Sequence, residues 1–133
     1  MTGDKDLQLI FHILKYCERI KKVIIFLDND FNNYINKKNF TSLDSCSFSA
    51  FQIGELVGKL SEELKNNYSN VPWQKIKGLR NVIVHNYGNI DLKILWKILT
   101  KDVENLNIAC RQILEKNDPN YNIILEEELS EEI

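Results

Sequence analysis

Apolar residues recur three and four positions apart in every long segment of this chain, and no segment alternates apolar and polar residues with a period of two. The first spacing places apolar side chains on one face of a helix, whereas a half-buried strand requires alternation. The pattern predicts an all-α protein, an up-down bundle of four main helices. With 133 residues, 44% of them hydrophobic, the chain is long enough to bury one core as a single globular domain.

The four helices are expected over about 4–27, from 44–49 to about 65, over 72–86, and over 91–115. Pro72 suits the first position of the third helix, and Asp91 suits the N-cap of the fourth. Residues 32–45 are rich in Asn, Lys, Ser and Asp, which compete for backbone hydrogen bonds, so a loop is predicted there. The helices form a domain over 1–116. The acidic C-terminal tail, 117–133, either docks as a short helix or remains mobile.

Two glycines, Gly54 and Gly58, lie one turn apart in the second predicted helix. Each costs a helix about 1 kcal/mol, so the pair indicates that another helix approaches closely there. Glu55 would lie near that crossing and is expected to form a salt bridge or hydrogen bond with Arg80.

Composition and missing motifs exclude several functions. The net charge of −2 gives no general attraction to nucleic acid, so any RNA affinity must come from a local patch. The three cysteines form no Cys-x-x-Cys pair and are expected to be reduced and structural. There is no signal-like apolar segment or membrane-length run, which favours a cytoplasmic protein without membrane contact. No phosphate-binding loop or metal-ligand spacing is present, so neither metal nor cofactor is expected.

The most informative stretch is Leu79–Gly88, where an arginine, a histidine and a tyrosine interrupt apolar residues. On a helix, Arg80 and Tyr87 lie within about 20° of each other, and Asn81 and His85 are an i,i+4 pair. Gln74 and Lys77 lie between Arg80 and His85 on the wheel, opposite an apolar face formed by Ile76, Leu79, Val82 and Ile83. Arg80 and His85 are about 140° apart, so only the long arginine side chain or a partner subunit can bring both to one phosphate.

An imidazole beside a guanidinium suits metal-free RNA cleavage, because the RNA supplies its own 2′-hydroxyl nucleophile. His85 would transfer protons and Arg80 would stabilise the charged phosphorane, while Asn81 would orient His85. Alternatively, Arg80 and His85 are only a helix-end pair bonded to Glu55 and backbone.

One helix does not readily supply both a general acid and a general base, so a two-fold homodimer with both motifs in one cleft is expected. Lys77, Lys93 and Lys97 are candidates for RNA binding through phosphates. Lys93 and Lys97 belong to a row that alternatively forms only a solvated face.

The spacing of Arg80, Asn81, His85 and Tyr87 resembles the active-site motif of the HEPN superfamily, and specifically of HepT-like toxin ribonucleases. The similarity includes Gln52-Ile53-Gly54-Glu55 and covers roughly residues 5–115. It implies a HEPN-like fold, a homodimer or higher even oligomer, and a metal-independent endoribonuclease that acts as a toxin. It also implies a partner, an MntA-like nucleotidyltransferase antitoxin that transfers AMP to the motif tyrosine, here Tyr87.

Two other functions remain open. Related helical proteins are non-catalytic substrate-binding or partner-binding subunits of nucleotidyltransferases, but these typically lack the intact Arg/His pair. A purely structural dimerisation module would leave the polar face around Arg80 unexplained. The intact pair therefore favours the enzyme.

Overall fold

The computed structural model describes residues 2–86 and 91–131, with only the backbone of residues 85 and 86, and its regular structure there is entirely helical. The α-helices are α1 (Asp4–Phe26), α2 (Phe31–Ile35), α3 (Phe40–Gly58), α4 (Glu62–Asn67), α5 (Trp73–Lys77), α6 (Leu79–Asn86), α7 (Leu92–Lys97), α8 (Val103–Asn117) and α9 (Tyr121–Glu131). A 3₁₀ turn, Lys37–Asn39, precedes α3, and a π-helical turn, Ile98–Asp102, joins α7 to α8. The predicted all-α class is confirmed.

Four long helical stretches form the body of the protein: α1, α3, α5 with α6, and α7 with α8. Helix α1 packs against both α3 and α8, and α3 packs on its other side against α5 and α6. Their apolar faces meet in one core that includes Ile13, Ile53 and Leu106, each at most 2% exposed. Helix α3 therefore links the core to the helix that carries the Arg/His motif.

The predicted loop over 32–45 is wrong, because the polar residues there cap short helices instead of preventing them. The Asp30 carboxylate accepts a hydrogen bond from the backbone N–H of Asn32 and begins α2. The Asn36 side chain does the same for Lys38 at the 3₁₀ turn. Tyr34 anchors α2 in the core, fully buried with its ring centroid 4.8 Å from that of Trp96.

The second predicted helix ends earlier than expected, at Gly58, and a separate α4 follows. Ser61 separates the two helices, since its hydroxyl accepts a hydrogen bond from the backbone N–H of Leu64 and caps α4. The backbone N–H of Ser61 donates in turn to the Asp6 carboxylate at the start of α1. The turn between α3 and α4 is therefore hydrogen-bonded to the start of α1.

The tail contains α9, which packs on the bundle through Tyr121 and Leu125, 3% and 1% exposed. An ion pair of 3.5 Å between Glu128 and Lys15 links α9 to α1. Of the two alternatives for the tail, the docked helix is the one observed over 121–131. The boundary at residue 116 remains a prediction.

A polar cluster joins α1 to α8 inside the bundle. The Glu18 carboxylate accepts hydrogen bonds from Asn107 and Arg111, and Arg111 Nε also donates to Asn107 Oδ1 at 2.9 Å. Asn107 is 2% exposed, so this cluster satisfies polar groups that would be costly to bury alone.

The three cysteines are free and buried. Burial raises the pKa of both Cys46 and Cys110 to about 12, so these thiols stay protonated at neutral pH. No helix of the described residues is long and apolar enough to span a bilayer.

Candidate active site

Helix α6 carries Arg80, Asn81 and His85 of the motif, and its position is fixed by a very close approach to α3. A Cβ atom added at Gly54 would lie 2.8 Å from the backbone nitrogen of Arg80 and 3.0 Å from its Cβ. Only glycine fits at this crossing, which confirms the close approach predicted for Gly54. A Cβ at Gly58 would make an ordinary 3.6 Å contact with Lys77 Cε, so that glycine leaves space rather than relieving a clash.

Arg80 lies between two polar partners. Its Nε atom is 2.6 Å from Glu55 Oε1, and its Nη1 atom donates a hydrogen bond of 3.1 Å to Asn81 Oδ1. The predicted Glu55–Arg80 pair is therefore present, although both side chains are half-exposed, at 38% and 43%. The Nε–H bond does not point at the carboxylate, so the contact is an ion pair by distance rather than an aligned hydrogen bond.

The structure shows Asn81 bonded to Arg80, whereas the sequence suggested that it orients His85. His85 lies in α6, four residues along from Asn81, but its side chain is outside the described part of the structure. Tyr87 also lies outside the described residues. The roles predicted for His85 and Tyr87 therefore remain predictions.

Arg80 faces a polar cleft of about 510 Å³ between the end of α3 and the α5–α6 turn. Its described lining consists of Gly54, Glu55, Gly58, Lys59, Gln74, Lys77, Gly78, Arg80 and Asn81. The helical wheel correctly grouped Gln74 and Lys77 with Arg80. It missed Lys59, which follows α3 and belongs to another segment. The signal in the sequence that could have found Lys59 is its position directly after Gly58, the second glycine of the predicted helix crossing.

The cleft is locally basic although the chain carries a net charge of −2. Three cationic side chains, those of Lys59, Lys77 and Arg80, line it beside one carboxylate among the described residues, Glu55. Such a concentration of positive charge attracts phosphate groups.

The lysines of α7 lie elsewhere. Lys93 and Lys97 are exposed and do not line the cleft. Asp91 caps α7, accepting a hydrogen bond from the backbone N–H of Lys93 at 2.9 Å. The capping prediction is confirmed, while the role of these lysines in RNA binding remains a prediction.

The apolar face predicted for the motif helix is only partly buried. Ile76, Leu79 and Ile83 are in the core, but Val82 is 37% exposed, so its assignment to the core is wrong. Val84 on the same helix is 48% exposed. Two valines thus face outward within one turn of Arg80.

Metal-ligating side chains are dispersed over the part of the chain that the structure describes. No group of three or more His, Cys, Asp or Glu residues there could hold a metal ion. Among the described residues, the polar side chains of the cleft are three cations, two amides and the carboxylate of Glu55.

The family model described as "Ribonuclease HepT-like" matches residues 13–113. A Methanocaldococcus jannaschii protein named as a candidate RNase, MJ1380, is 34% identical over 59% of this chain and 71% of its own length. A second protein named as a candidate RNase, TTE0752 of Caldanaerobacter subterraneus, is 29% identical over 79% of this chain and 90% of its own length. A protein of Thermococcus cleftensis named as a probable ribonuclease HepT is 24% identical over 68% and 86%. No solved structure matches the chain.

Proposed function

Because the chain belongs to the HepT-like family, whose model matches 13–113, we propose that it is a metal-independent endoribonuclease that acts in the cytoplasm. The observation that carries the proposal is the position of Arg80, held by Glu55 and Asn81 at a basic cleft. A guanidinium in this setting can bind a phosphate through two parallel hydrogen bonds. The names of the relatives support the same activity.

In the proposed reaction, a base removes the proton of the RNA 2′-hydroxyl, and the 2′-oxygen attacks the adjacent phosphorus. The bond from phosphorus to the 5′-oxygen breaks, and an acid protonates the leaving oxygen. The products are a 2′,3′-cyclic phosphate, which water can open to a 3′-phosphate, and a 5′-hydroxyl. His85 provides proton transfer and Arg80 stabilises the charge of the phosphorane.

Two imidazoles can divide the acid and base roles. We therefore propose a homodimer, or a higher even oligomer, that brings the His85 side chains of two protomers to one cleft. Val84 supports this arrangement, since it is 48% exposed and lies one helical turn after Arg80, where it offers apolar surface beside the motif.

The test is cleavage of RNA by the purified protein in excess EDTA. Wild type should cleave and leave 2′,3′-cyclic phosphate ends, while Arg80→Ala and His85→Ala should each lose about 10²–10⁴-fold in rate. Lys116→Met, an exposed substitution outside the cleft, serves as the control for protein preparation. Equal cleavage by wild type and both site variants would show that the site is wrong, and loss of activity in EDTA would show that a metal is needed.

We also propose that the protein is the toxin of a toxin–antitoxin pair, regulated at Tyr87 by an MntA-like nucleotidyltransferase antitoxin. The tyrosine hydroxyl would attack the α-phosphate of ATP, forming tyrosyl-AMP and releasing pyrophosphate. On the helix that the sequence predicts for this stretch, Tyr87 would lie within about 20° of Arg80, so an anionic AMP attached there could pair with Arg80 and exclude RNA.

Modification at Tyr87 is tested with a cognate nucleotidyltransferase and ATP. Wild type should gain one AMP at Tyr87 and lose cleavage, whereas Tyr87→Phe should keep appreciable cleavage and resist inhibition. Adenylate at another residue, or none on wild type, as measured by mass spectrometry, would rule out this switch.

A further inference from the structure

Lys59 and the side-chain stem of Lys77 lie beside Gly58 in the cleft, one turn of α3 from Gly54, which contacts Arg80. Elsewhere in the protein several basic side chains are neutralised, as in the ion pairs Lys65–Glu62 and Lys75–Asp102. Within the described residues, neither Lys59 nor Lys77 forms an ion pair. Since Glu55 is the one carboxylate of the described lining and contacts Arg80, the lysine end of the cleft keeps its positive charge.

Helix α3 positions the bases of both cationic side chains, those of Arg80 and Lys77. Gly54 lies against the backbone of Arg80, and Gly58 lies against the aliphatic stem of Lys77. Four residues of helix separate these contacts by about 6 Å along the α3 axis. Side chains that extend in parallel from these two contacts would carry their charges at a spacing comparable with that of successive phosphates along an RNA strand.

We propose that Lys59 and Lys77 form a second phosphate-binding subsite, which binds the phosphate next to the one held at Arg80. The inference rests on the proposed ribonuclease function. It makes the substrate a strand with at least two consecutive phosphates, read through its backbone rather than its bases. Lys77 packs its stem beside Gly58, and Lys59, the residue after Gly58, adds a second ammonium group to the cleft.

The subsite is tested with short oligodeoxynucleotides that contain one ribonucleotide and hence one cleavable bond. In two further substrates, the phosphate on the 5′ or the 3′ side of that bond is replaced by a neutral methylphosphonate. For wild type, one replacement should lower kcat/KM by about tenfold, through the loss of a charge-assisted contact. In the double variant Lys59→Met/Lys77→Met, that replacement should no longer matter. The ratio of kcat/KM for the unmodified substrate to kcat/KM for the affected methylphosphonate substrate should fall to near one.

Methionine keeps the length and the apolar stem of lysine, so the substitution removes charge with little change in packing. Lys116→Met removes an equivalent charge outside the cleft and should keep the wild-type ratio. If wild type ignores both methylphosphonates, or the double variant keeps the wild-type ratio, the subsite is wrong although the ribonuclease is right. If wild type cleaves no RNA at all, the proposed function fails, and the subsite fails with it.

Discussion

Arg80 is a residue that contributes both to the packing of two helices and to the proposed chemistry. Its backbone lies against Gly54 at the crossing of α3 and α6, while its guanidinium contacts Glu55 and Asn81. These contacts reduce the number of rotamers that the long side chain can adopt. A guanidinium already oriented loses less conformational entropy when it binds a phosphate, which is the advantage of preorganisation.

Asn81→Ala should be milder than either motif substitution. Asn81 accepts one hydrogen bond from Arg80 and transfers no proton, so its loss frees the guanidinium without removing it. We expect kcat to fall by up to about tenfold, against about 10²–10⁴ for His85→Ala, measured by single-turnover cleavage. If Asn81→Ala were as inactive as His85→Ala while still folded, Asn81 would have a direct part in the reaction.

Glu18 should make the stability of the bundle depend on pH. Burial alone would raise the pKa of this carboxyl, but hydrogen bonds from Arg111 and Asn107 outweigh it and hold the pKa below its ordinary value. A lowered folded-state pKa contributes stability above the unfolded value, about 4.3, and that contribution is lost as the pH falls through the folded pKa. Glu18→Gln should therefore lower the free energy of unfolding at pH 7, and its difference from wild type should shrink below about pH 4.

Urea denaturation across this pH range measures the effect. Glu126→Gln, on the exposed side of α9, is the control and should show little difference from wild type at any pH. A Glu18→Gln difference that stays constant from pH 7 to pH 3 would show that ionisation of Glu18 does not contribute.

At the scale of helices, the two glycines of α3 should respond oppositely to alanine. Gly54→Ala would place a methyl group 2.8 Å from a backbone atom of Arg80, so α3 and α6 must separate. We expect a loss of about 1–3 kcal/mol in the free energy of unfolding and a displaced Arg80 with reduced cleavage. Gly58→Ala meets only the flexible Lys77 stem at 3.6 Å and should be neutral or stabilising by up to about 1 kcal/mol.

Denaturant unfolding and RNA cleavage of the two variants give a matched comparison. Each adds the same methyl group to the same helix, so their difference isolates the crossing itself. Equal stability and equal activity of the two variants would contradict the close approach at Gly54.

The helices were predictable from the sequence where apolar spacing alone decides the structure. The helix predicted over 91–115 is present as α7 and α8, joined by a π-helical turn, because apolar side chains such as Leu99, Val103 and Ile113 pack into the main core at helical spacing. The segment over 32–45 was not predictable in this way. There, caps at Asp30 and Asn36 and the buried Tyr34 outweigh the weak helix propensity of a polar stretch.

The candidate site was predictable in part. The wheel grouped Arg80, Lys77 and Gln74, because all three belong to one nearly continuous helical segment. Lys59 was missed because periodicity within one helix carries no information about which other segment faces it. Val82 was misassigned for a related reason: apolar character favours burial, but it does not show that another segment of the protein reaches that side of the helix.

For the molecule as a whole, the net charge and the cleft charge have opposite signs, and this should make RNA binding selective for the cleft. The small negative net charge gives RNA no general attraction to the protein, whereas the cations around Arg80 attract it locally. Association should therefore weaken only moderately with added salt, because the salt dependence of affinity scales with the number of phosphates bound and the cleft binds few.

The proposed homodimer can be tested at Val84. This valine is 48% exposed and lies one helical turn after Arg80, on the same side of α6. If a second copy covers it, Val84→Glu should dissociate the dimer by burying an unpaired charge at the interface. Val84→Arg should dissociate it equally, which separates the loss of the dimer from simple repulsion of RNA by an added negative charge. Sedimentation velocity at working concentration measures the mass.

Ile108→Glu is the matched control, because Ile108 on α8 is exposed to the same extent, 48%, but lies outside the motif helix. It should remain a dimer and stay active. Both Val84 variants should be monomeric and should lose cleavage together with dimerisation, since one protomer alone would supply a single imidazole to the scissile phosphate. A wild-type protein that sediments as a monomer and still cleaves RNA would show that one motif suffices. The acid and base would then both have to come from one chain.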